Sequence, residues 1–194
     1  MFTKETYINR REQLKKTVAS GILLFLGNDE CGMNYADNTY PFRQDSTFLY
    51  FFGLSYAGLS AIIDIDNDKE IIFGDELTID DIVWMGTQPT LKEKSERVGV
   101  LCTQSSKSIE SYLKNAQSKG QQIHFLPTYR PEHKLKLMDW LGYMPAAQEA
   151  SVPFIRAVVN QRNYKSAEEI VEIEKACNTT ADMHIKAMQI LRPG

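Results

Sequence analysis

The sequence predicts an α/β fold in which a mixed β-sheet is flanked by helices and followed by one long C-terminal helix. Three observations lead to this prediction. Two β-branched runs, residues 60–66 and 69–73, surround Asn67-Asp68, a turn pair that tolerates positive φ, and so predict an antiparallel hairpin. Strand and helix patterns then alternate between residues 100 and 141, which is typical of crossover units. Apolar residues at three- and four-residue steps from Ile170 to Leu191 indicate the long helix.

The first two elements are a surface helix and a buried strand. Residues 4–19 mix apolar positions with charged ones such as Arg10 and Arg11, which predicts an amphipathic surface helix with Thr3 as a candidate cap and Gly21 beyond its end. Residues 22–26 are continuously apolar and predict a strand covered on both faces. Residues 28–39 are rich in Gly, Asn and Asp and therefore predict a loop.

Short elements follow the hairpin in quick succession. A capping Thr78 and two acidic residues open a short helix over residues 78–84, closed at Gly86, and residues 90–98 form another. Strands are expected over residues 100–103 and 122–126, and helices over residues 106–118 and 131–141. Pro131 stands in the first turn of the last of these helices and Gly142 just past its end.

The C-terminal region predicts a linker and then the long helix. Residues 146–164 lack clear periodicity and contain Pro153, so we predict a linker there. Ser166 and Glu169 form a capping box that opens a helix of about 25 residues. Pro193-Gly194 follows as a helix stop, and nothing comes after the helix for it to pack against. We therefore expect a domain over residues 1–160, and in residues 161–194 the beginning of a second domain of a longer protein.

The stretch from Tyr40 to Gly53 is the most aromatic in the chain, with six rings in fourteen residues around a polar island at residues 43–47. Rings of this size dominate the energetics of protein cores, so we expect the stretch to be largely buried. Its pattern alone predicts a core strand entered through a polar turn. A buried Arg43 would need partners for its five donors, and we expect it to tie the polar island to backbone carbonyls.

Residues 36–48 of this region (Ala-Asp-Asn-Thr-Tyr-Pro-Phe-Arg-Gln-Asp-Ser-Thr-Phe), followed by Tyr50 and Gly53, resemble the hallmark of the N-terminal domain of X-prolyl aminopeptidases (aminopeptidase P), in the creatinase/prolidase superfamily. Two further stretches agree in the same order. Residues 82–86 (Ile-Val-Trp-Met-Gly) are similar to the family's tryptophan-glycine segment, and residues 162–170 (Arg-Asn-Tyr-Lys-Ser-Ala-Glu-Glu-Ile) to the linker and first helix of its catalytic domain. Residues 99–153 carry no matching motif.

The resemblance implies a ribonuclease H-like fold for residues 1–160, and places the linker and first helix of a pita-bread metallopeptidase domain in residues 161–194. It implies that the whole protein removes an N-terminal residue that precedes proline, at a site of two divalent metal ions, expected to be manganese. The family's metal ligands are two Asp, one His and two Glu of the catalytic domain, and no position here matches them. We therefore expect no catalytic residue, metal ligand or cofactor in this chain, and no activity of the chain alone.

Two positions match residues at the family's substrate cleft. Asp37 matches an Asp at the mouth of the active site, often that of a neighbouring subunit, where its carboxylate would hold a free α-amino group. Trp84 matches a ring that walls the cleft. Without the resemblance, Asp37 reads as a loop turn residue and Trp84 as an ordinary core ring. A structural role is expected for the remaining motif residues, Tyr40, Pro41, Arg43, Gln44 and Asp45.

Composition limits the other function classes. Of the 194 residues 43% are hydrophobic and 24% charged, and a net charge of -3 without a basic cluster argues against a nucleic-acid partner. No segment approaches the roughly 20 apolar residues that span a bilayer, and residues 1–20 are unlike a secretory signal, so we expect a cytoplasmic protein. The histidines and cysteines lack metal-ligand spacing and are expected to be packing or surface residues and reduced thiols: His124, His133, His184, Cys31, Cys102 and Cys177.

The expected partners are peptides with proline in second position, the protein's own C-terminal catalytic domain and further copies of the chain. Two alternatives remain open. The chain could be a stand-alone α/β binding or oligomerisation module whose C-terminal helix pairs with a partner or with itself. It could also be the N-terminal domain of a prolidase-like or creatinase-like enzyme, which would share the fold but not the substrate.

Overall fold

The computed structural model describes residues 1–146 and 149–192. The chain divides into two compact units, Met1–Val159 and Asn160–Gly194. The first unit contains the mixed sheet that the sequence predicts, and its five strands stand in the order β4-β3-β2-β1-β5. The strands are β1 Ile22–Leu26, β2 Ser60–Asp64, β3 Lys69–Phe73, β4 Cys102–Gln104 and β5 Ile123–His124. β2 pairs antiparallel with β1 and β3, whereas β1 pairs parallel with β5, and β3 with β4.

Helices cover both faces of this sheet. The α-helices up to residue 163 are α1 Lys4–Val18, α2 Ser46–Phe52, α3 Ile79–Met85, α4 Leu91–Glu96, α5 Ile109–Ser118, α6 Pro131–Leu141 and α7 Val152–Asn163, and all of them except α3 contribute buried side chains. On the first face, Leu23, Phe25 and Ile63 pack with buried side chains of α1, α2, α4 and α7. On the second face, Leu24, Ile62 and others pack with buried side chains of α5 and α6. The alternation follows from the two-residue period of a strand, which sends successive side chains to opposite faces.

The aromatic stretch forms helix α2, so the predicted core strand is wrong. Asp45 caps the helix, since its Oδ1 accepts hydrogen bonds from the backbone N–H of Thr47 at 2.8 Å and of Phe48 at 2.9 Å. Phe48, Phe51 and Phe52 are fully buried at helical spacing, whereas Leu49 is 42% exposed. Seven residues are too few to reveal a helical period among so many rings, and the capping Asp was the more informative signal.

Helix α1 begins and ends where the sequence predicts, but two of its charged residues are buried. Arg11 is fully buried, and its guanidinium donates to Glu70 Oε2 at 2.8 Å and to the carbonyls of Phe51 at 3.0 Å and Val98 at 2.9 Å. Arg10 is 7% exposed and lies over the Tyr50 ring at 3.9 Å. The expectation that these arginines lie on the surface is therefore wrong, because backbone carbonyls, a carboxylate and an aromatic ring replace the interactions that their guanidinium groups would make with water.

The predicted linker over residues 146–164 is also wrong for most of its length. Helix α7 occupies residues 152–163 and buries Phe154, Ala157 and Val158 on the first face of the sheet. Pro153 is the second residue of the helix, where a missing backbone N–H leaves no hydrogen bond unmade. Phe154 meets Phe25 edge to face at 5.2 Å between ring centroids.

The second unit consists mainly of helix α8, Ala167–Ile190. Its predicted capping box is present, because the Ser166 hydroxyl accepts from Glu169 N at 3.3 Å and Glu169 Oε2 accepts from Ser166 N at 2.9 Å. None of the 24 residues of α8 is buried. The predicted helix stop, Pro193-Gly194, lies outside the described residues. None of the helices in the described ranges combines the length and the apolar character that crossing a membrane requires.

Candidate functional site

The candidate site is framed by the segment that leads from β1 to α2, and Gln44 holds this segment in place. Gln44 is 4% exposed. Its Oε1 accepts from Asn28 N at 2.7 Å and from Asp45 N at 2.9 Å, and its Nε2 donates to the carbonyls of Leu54 at 3.2 Å and Tyr56 at 2.8 Å. One amide thus joins both ends of the loop to the segment that follows α2.

Arg43 does not have the role that the sequence suggests. It is exposed, and it contributes its backbone carbonyl, which accepts from Asn28 Nδ2 at 2.8 Å. The expectation of a buried guanidinium bound to carbonyls is therefore wrong, because the neighbouring Gln44 makes those bonds. Tyr40 also points outward, with 55% of its surface exposed.

The end of β1 is packed closely by its neighbours. A Cβ at Gly27 would overlap with the Leu59 carbonyl, so the backbone approach there requires glycine. His133 of α6 is buried, and its Nε2 lies 3.1 Å from the Gly27 carbonyl oxygen. Burial lowers the pKa of His133 despite the opposing effect of that carbonyl, so the ring is neutral near pH 7 and Nε2 donates the bond.

Asp37 lies at the tip of the loop between β1 and α2. The base of the loop is closed by a bridge between Gly32 and Thr39 and by a 2.9 Å hydrogen bond from Tyr40 N to the Cys31 carbonyl. Asp37 is exposed, and in the described part of the chain no group donates a hydrogen bond to its carboxylate. The carboxylate is therefore available to a ligand or a partner molecule.

Trp84 lies on helix α3, which has no buried residue. Thr78 and Asp81 form a capping box at its start, and the hydrogen bonds from Thr78 lower the pKa of Asp81. Trp84 is 87% exposed and its neighbours Val83 and Met85 are 74% and 60% exposed. The interpretation of Trp84 as a core ring is wrong, because α3 contributes nothing to the core. A group of large apolar side chains in water is typical of an interaction surface.

The two predicted cleft residues are not joined by any contact. Asp37 and Trp84 stand on separate elements, and no hydrogen bond or ring contact connects them within residues 1–146 and 149–192. Nor does this part of the chain bring together three His, Cys, Asp or Glu side chains that could hold a metal ion. We assign no metal ligand and no metal-dependent step to the described residues.

A pocket at one edge of the sheet was not predicted from the sequence. It has a volume of about 340 Å³ and lies at the carboxyl ends of β1, β3 and β4. Its charged and polar lining includes Asp29, Ser60, Asp75, Lys107 and Lys136. The polar residues that follow each of these strands were the signal that could have indicated it.

Comparison with known proteins gives one family. The family model described as the aminopeptidase P N-terminal domain matches residues 7–124. A probable Xaa-Pro aminopeptidase of Aspergillus fumigatus is 26% identical over 182 residues, which cover 90% of this chain and 35% of that protein. A second, from Talaromyces stipitatus, is 24% identical over 173 residues, 86% of this chain and 32% of that protein. The chain therefore spans roughly a third of the length of these curated relatives.

Solved structures show the same fold. The low-pH form of Escherichia coli aminopeptidase P is similar with a TM-score of 0.79 at 22% sequence identity, covering 100% of this chain and 46% of that one. The zinc-substituted enzyme in complex with product gives a TM-score of 0.78 at 22% identity with the same coverage.

Proposed function

Since this chain belongs to the family of aminopeptidase P N-terminal domains, we propose that it is the non-catalytic N-terminal part of a metal-dependent X-prolyl aminopeptidase. The whole protein would remove an N-terminal residue that precedes proline. Two divalent metal ions, expected to be manganese, would be held by a catalytic domain outside the described residues and would activate the attacking water. The chain would contribute to the substrate cleft and to the oligomer.

The observation that carries the proposal is the exposure of Trp84 on a helix without a buried residue. A tryptophan that is 87% exposed does not stabilise its own domain, so its surface is available to a substrate or to another domain. In the proposed cleft the indole ring would form an apolar wall beside the peptide. The accessible carboxylate of Asp37 would bind the positively charged α-amino group of the substrate, in its own subunit or in a neighbouring one.

Helix α8 supports the proposed contact with a catalytic domain. Apolar side chains alternate with charged ones along its length and are exposed, namely Ile170, Val171, Ile173, Met183, Ile185, Met188 and Ile190. An amphipathic helix gains most of its stability from packing its apolar side, so a further domain would be expected to cover it.

The proposal is tested on the whole protein, loaded with manganese, with a peptide that carries proline in second position. We expect hydrolysis by the whole protein and none by the 194-residue chain. Trp84→Ala should lower kcat/KM by about tenfold or more, since a wall of the cleft is lost. Tyr129→Ala, which removes another ring that is 75% exposed, is the matched control and should leave kcat/KM unchanged. Failure of the whole protein to cleave such peptides would refute the proposal.

The Asp37 role has its own measurement. Asp37→Asn keeps the shape of the side chain and removes its charge, so it should raise KM for peptides with a free α-amino group. The exposed Asp139 provides the control substitution Asp139→Asn. An equal KM for the two variants would argue against a role of Asp37 in the cleft.

Helix α8 also favours a second candidate function, a stand-alone oligomerisation module. In that case the helix would pair with its own copy, and trimming the chain after Asn163 would abolish a stable dimer. Measuring the mass in solution of both chain lengths separates the two functions. A prolidase-like or creatinase-like parent would share the fold, and it would be recognised by its failure to cleave longer peptides with proline in second position.

A further inference from the structure

The pocket at the carboxyl edge of the sheet, called here the edge pocket, lies where the chain changes faces. β3 and β4 are parallel neighbours. After β3 the chain runs to α4 on the first face, and after β4 it runs to α5 on the second face. In open α/β sheets a crevice forms outside the carboxyl ends of two such strands, and ligands bind there. Asp75 follows β3 and Lys107 follows β4, and both line the edge pocket.

The lining of the edge pocket carries balanced charge at two separated places. Asp29 and Lys136 form an ion pair of 2.7 Å beside β1. Asp75 follows β3 and Lys107 follows β4, and these strands lie about 10 Å and about 14 Å from β1 across the sheet. The lining contains two carboxylates and two ammonium groups, so the pocket has no net charge and disfavours a ligand with a large net charge of either sign.

The Asp75 carboxylate is ionised and accepts three hydrogen bonds, which leaves one of its lone-pair positions for a ligand. Its Oδ1 accepts from Ser105 Oγ at 2.8 Å and from Ser106 N at 3.1 Å, and its Oδ2 accepts from Ser106 Oγ. The hydrogen bonds from Ser106, followed by those from Ser105, hold the pKa of Asp75 below its ordinary value. A carboxylate offers about four lone-pair positions, so one remains for a further donor.

Ser60 gives the pocket a hydroxyl group that makes no hydrogen bond with the described residues and is open to the pocket. Ser60 is only 4% exposed. Its side chain lies on the second face of the sheet, on the same side of β2 as the side chain of Ile62. Among the described residues no hydrogen bond involves its hydroxyl, and Ser60 lines the pocket. A hydroxyl group can both donate and accept a hydrogen bond, so a ligand or a water in the pocket can bind to Ser60. Phe73, Ile109 and Trp140 form the apolar remainder of the wall.

We propose that the edge pocket binds a small zwitterion of the free amino acid class. Asp75 would accept from the ligand ammonium group, Lys107 would bind its carboxylate, and the ligand side chain would lie against Trp140 and Phe73. The volume of about 340 Å³ is at the lower end of the range for small-molecule sites, which fits a ligand of this size. The inference uses only the geometry of the first unit and does not rest on the proposed peptidase function.

The test uses the 194-residue chain and three ligands that differ in charge. L-Leucine carries both charges, N-acetyl-L-leucine lacks the ammonium group and L-leucinamide lacks the carboxylate. We expect L-leucine to cause saturable changes in the amide NMR signals of Ser60 and Lys107, and at least tenfold weaker binding of both analogues. Equal binding of N-acetyl-L-leucine would show a simple anion site and would overturn the proposal. Absence of saturable changes up to about 50 mM L-leucine, about fiftyfold above a dissociation constant of 1 mM, would also overturn it.

Variants then locate the binding. Lys107→Ala removes an exposed cation from the wall and should weaken L-leucine binding at least tenfold, whereas Lys134→Ala, an exposed lysine outside the pocket, should not. Ser60→Leu fills the pocket and should abolish binding. If Ser60→Leu does not fold, Trp140→Ala, in the partly buried wall, replaces it. Unchanged affinity in Lys107→Ala would refute the assigned pocket, whatever the other variants show.

Discussion

At the scale of single residues, buried polar side chains connect distant segments of this fold through hydrogen bonds. Gln44 joins four backbone groups from three segments, and Arg11 joins α1 to Glu70 of β3 and to two carbonyls. Each of these side chains is surrounded by groups that would be left unsatisfied if it were removed. The cost of substitution is therefore set by the partners rather than by the net strength of the bonds.

Replacing Gln44 with leucine should lower the free energy of unfolding by about 3 kcal/mol, because buried backbone N–H and C=O groups lose their partners. Urea unfolding measures this change as a lower midpoint at an unchanged slope. The exposed Gln88 provides the control Gln88→Leu, which should stay within about 0.5 kcal/mol of the unchanged chain. Equal effects of the two substitutions would contradict the role of Gln44.

Asp64 makes stability depend on pH at the acidic end. It is 1% exposed, and burial raises its pKa, but hydrogen bonds from Tyr112, Asn67 and Gln121 lower it by more, so the pKa lies below its ordinary value. A carboxyl group with a lowered folded-state pKa contributes stability above its unfolded-state pKa. That contribution is lost as the pH falls through the lowered folded-state pKa.

Tyr112→Phe should therefore destabilise the protein by about 1.5 to 3 kcal/mol at pH 7, since a 2.7 Å hydrogen bond to an ionised group is lost. The difference from the unchanged chain should shrink as Asp64 becomes protonated below pH of about 4. Urea unfolding between pH 3 and pH 7 measures both effects, with the exposed Tyr143→Phe as control. A difference independent of pH would show that the bond to Asp64 is not its cause.

At the scale of elements, the sequence predicts best where the signal is local. Thr3, Thr78 and Ser166 cap their helices as predicted, and β1, β3 and α6 have the predicted bounds, since each is defined by its own residues and its immediate flanks. The failures concern α2 and α7. Both elements are determined by which of their side chains the rest of the chain can bury. The sequence of the element alone does not show this.

The end of α2 provides a test at this scale. Gly53 has φ +64°, and a Cβ there would overlap with the Tyr7 ring. Gly142, past the end of α6, has φ +78° but open space around it. Both Gly53→Ala and Gly142→Ala should cost about 1 kcal/mol for the left-handed backbone, and Gly53→Ala should cost at least 1 to 3 kcal/mol more for the overpacking. Equal unfolding midpoints in urea would show that Tyr7 moves aside without cost.

At the scale of the whole molecule, the core of the first unit includes side chains from residues 146–164, the segment that the sequence predicts as a linker. Phe154 is fully buried against Phe25, so the sheet lacks part of its cover until α7 is present. The edge pocket could likewise not be predicted from the sequence. Asp29, Asp75 and Lys107 are distant in the chain and line one pocket only because of the strand order, and the exposure of Trp84 depends on which residues the core buries.

Truncation distinguishes α7 from α8. A chain that ends after Asn163 should unfold within about 1 kcal/mol of the full chain, because α8 buries none of its residues. A chain that ends after Ala150 should lose at least about 3 to 5 kcal/mol, the cost of removing one large aromatic side chain from a core. Thermal unfolding of both chains measures the difference. Similar losses in the two would mean that α7 does not belong to the first unit.

The two outermost strands of the sheet are its shortest, three residues in β4 and two in β5. A long free edge presents a row of unpaired N–H and C=O groups on which a second sheet can grow, and this is a common route to fibrous aggregates. In this sheet the outer strands β4 and β5 present only a few such groups. We therefore expect the short outer strands to limit edge-to-edge polymerisation in concentrated solutions of the protein.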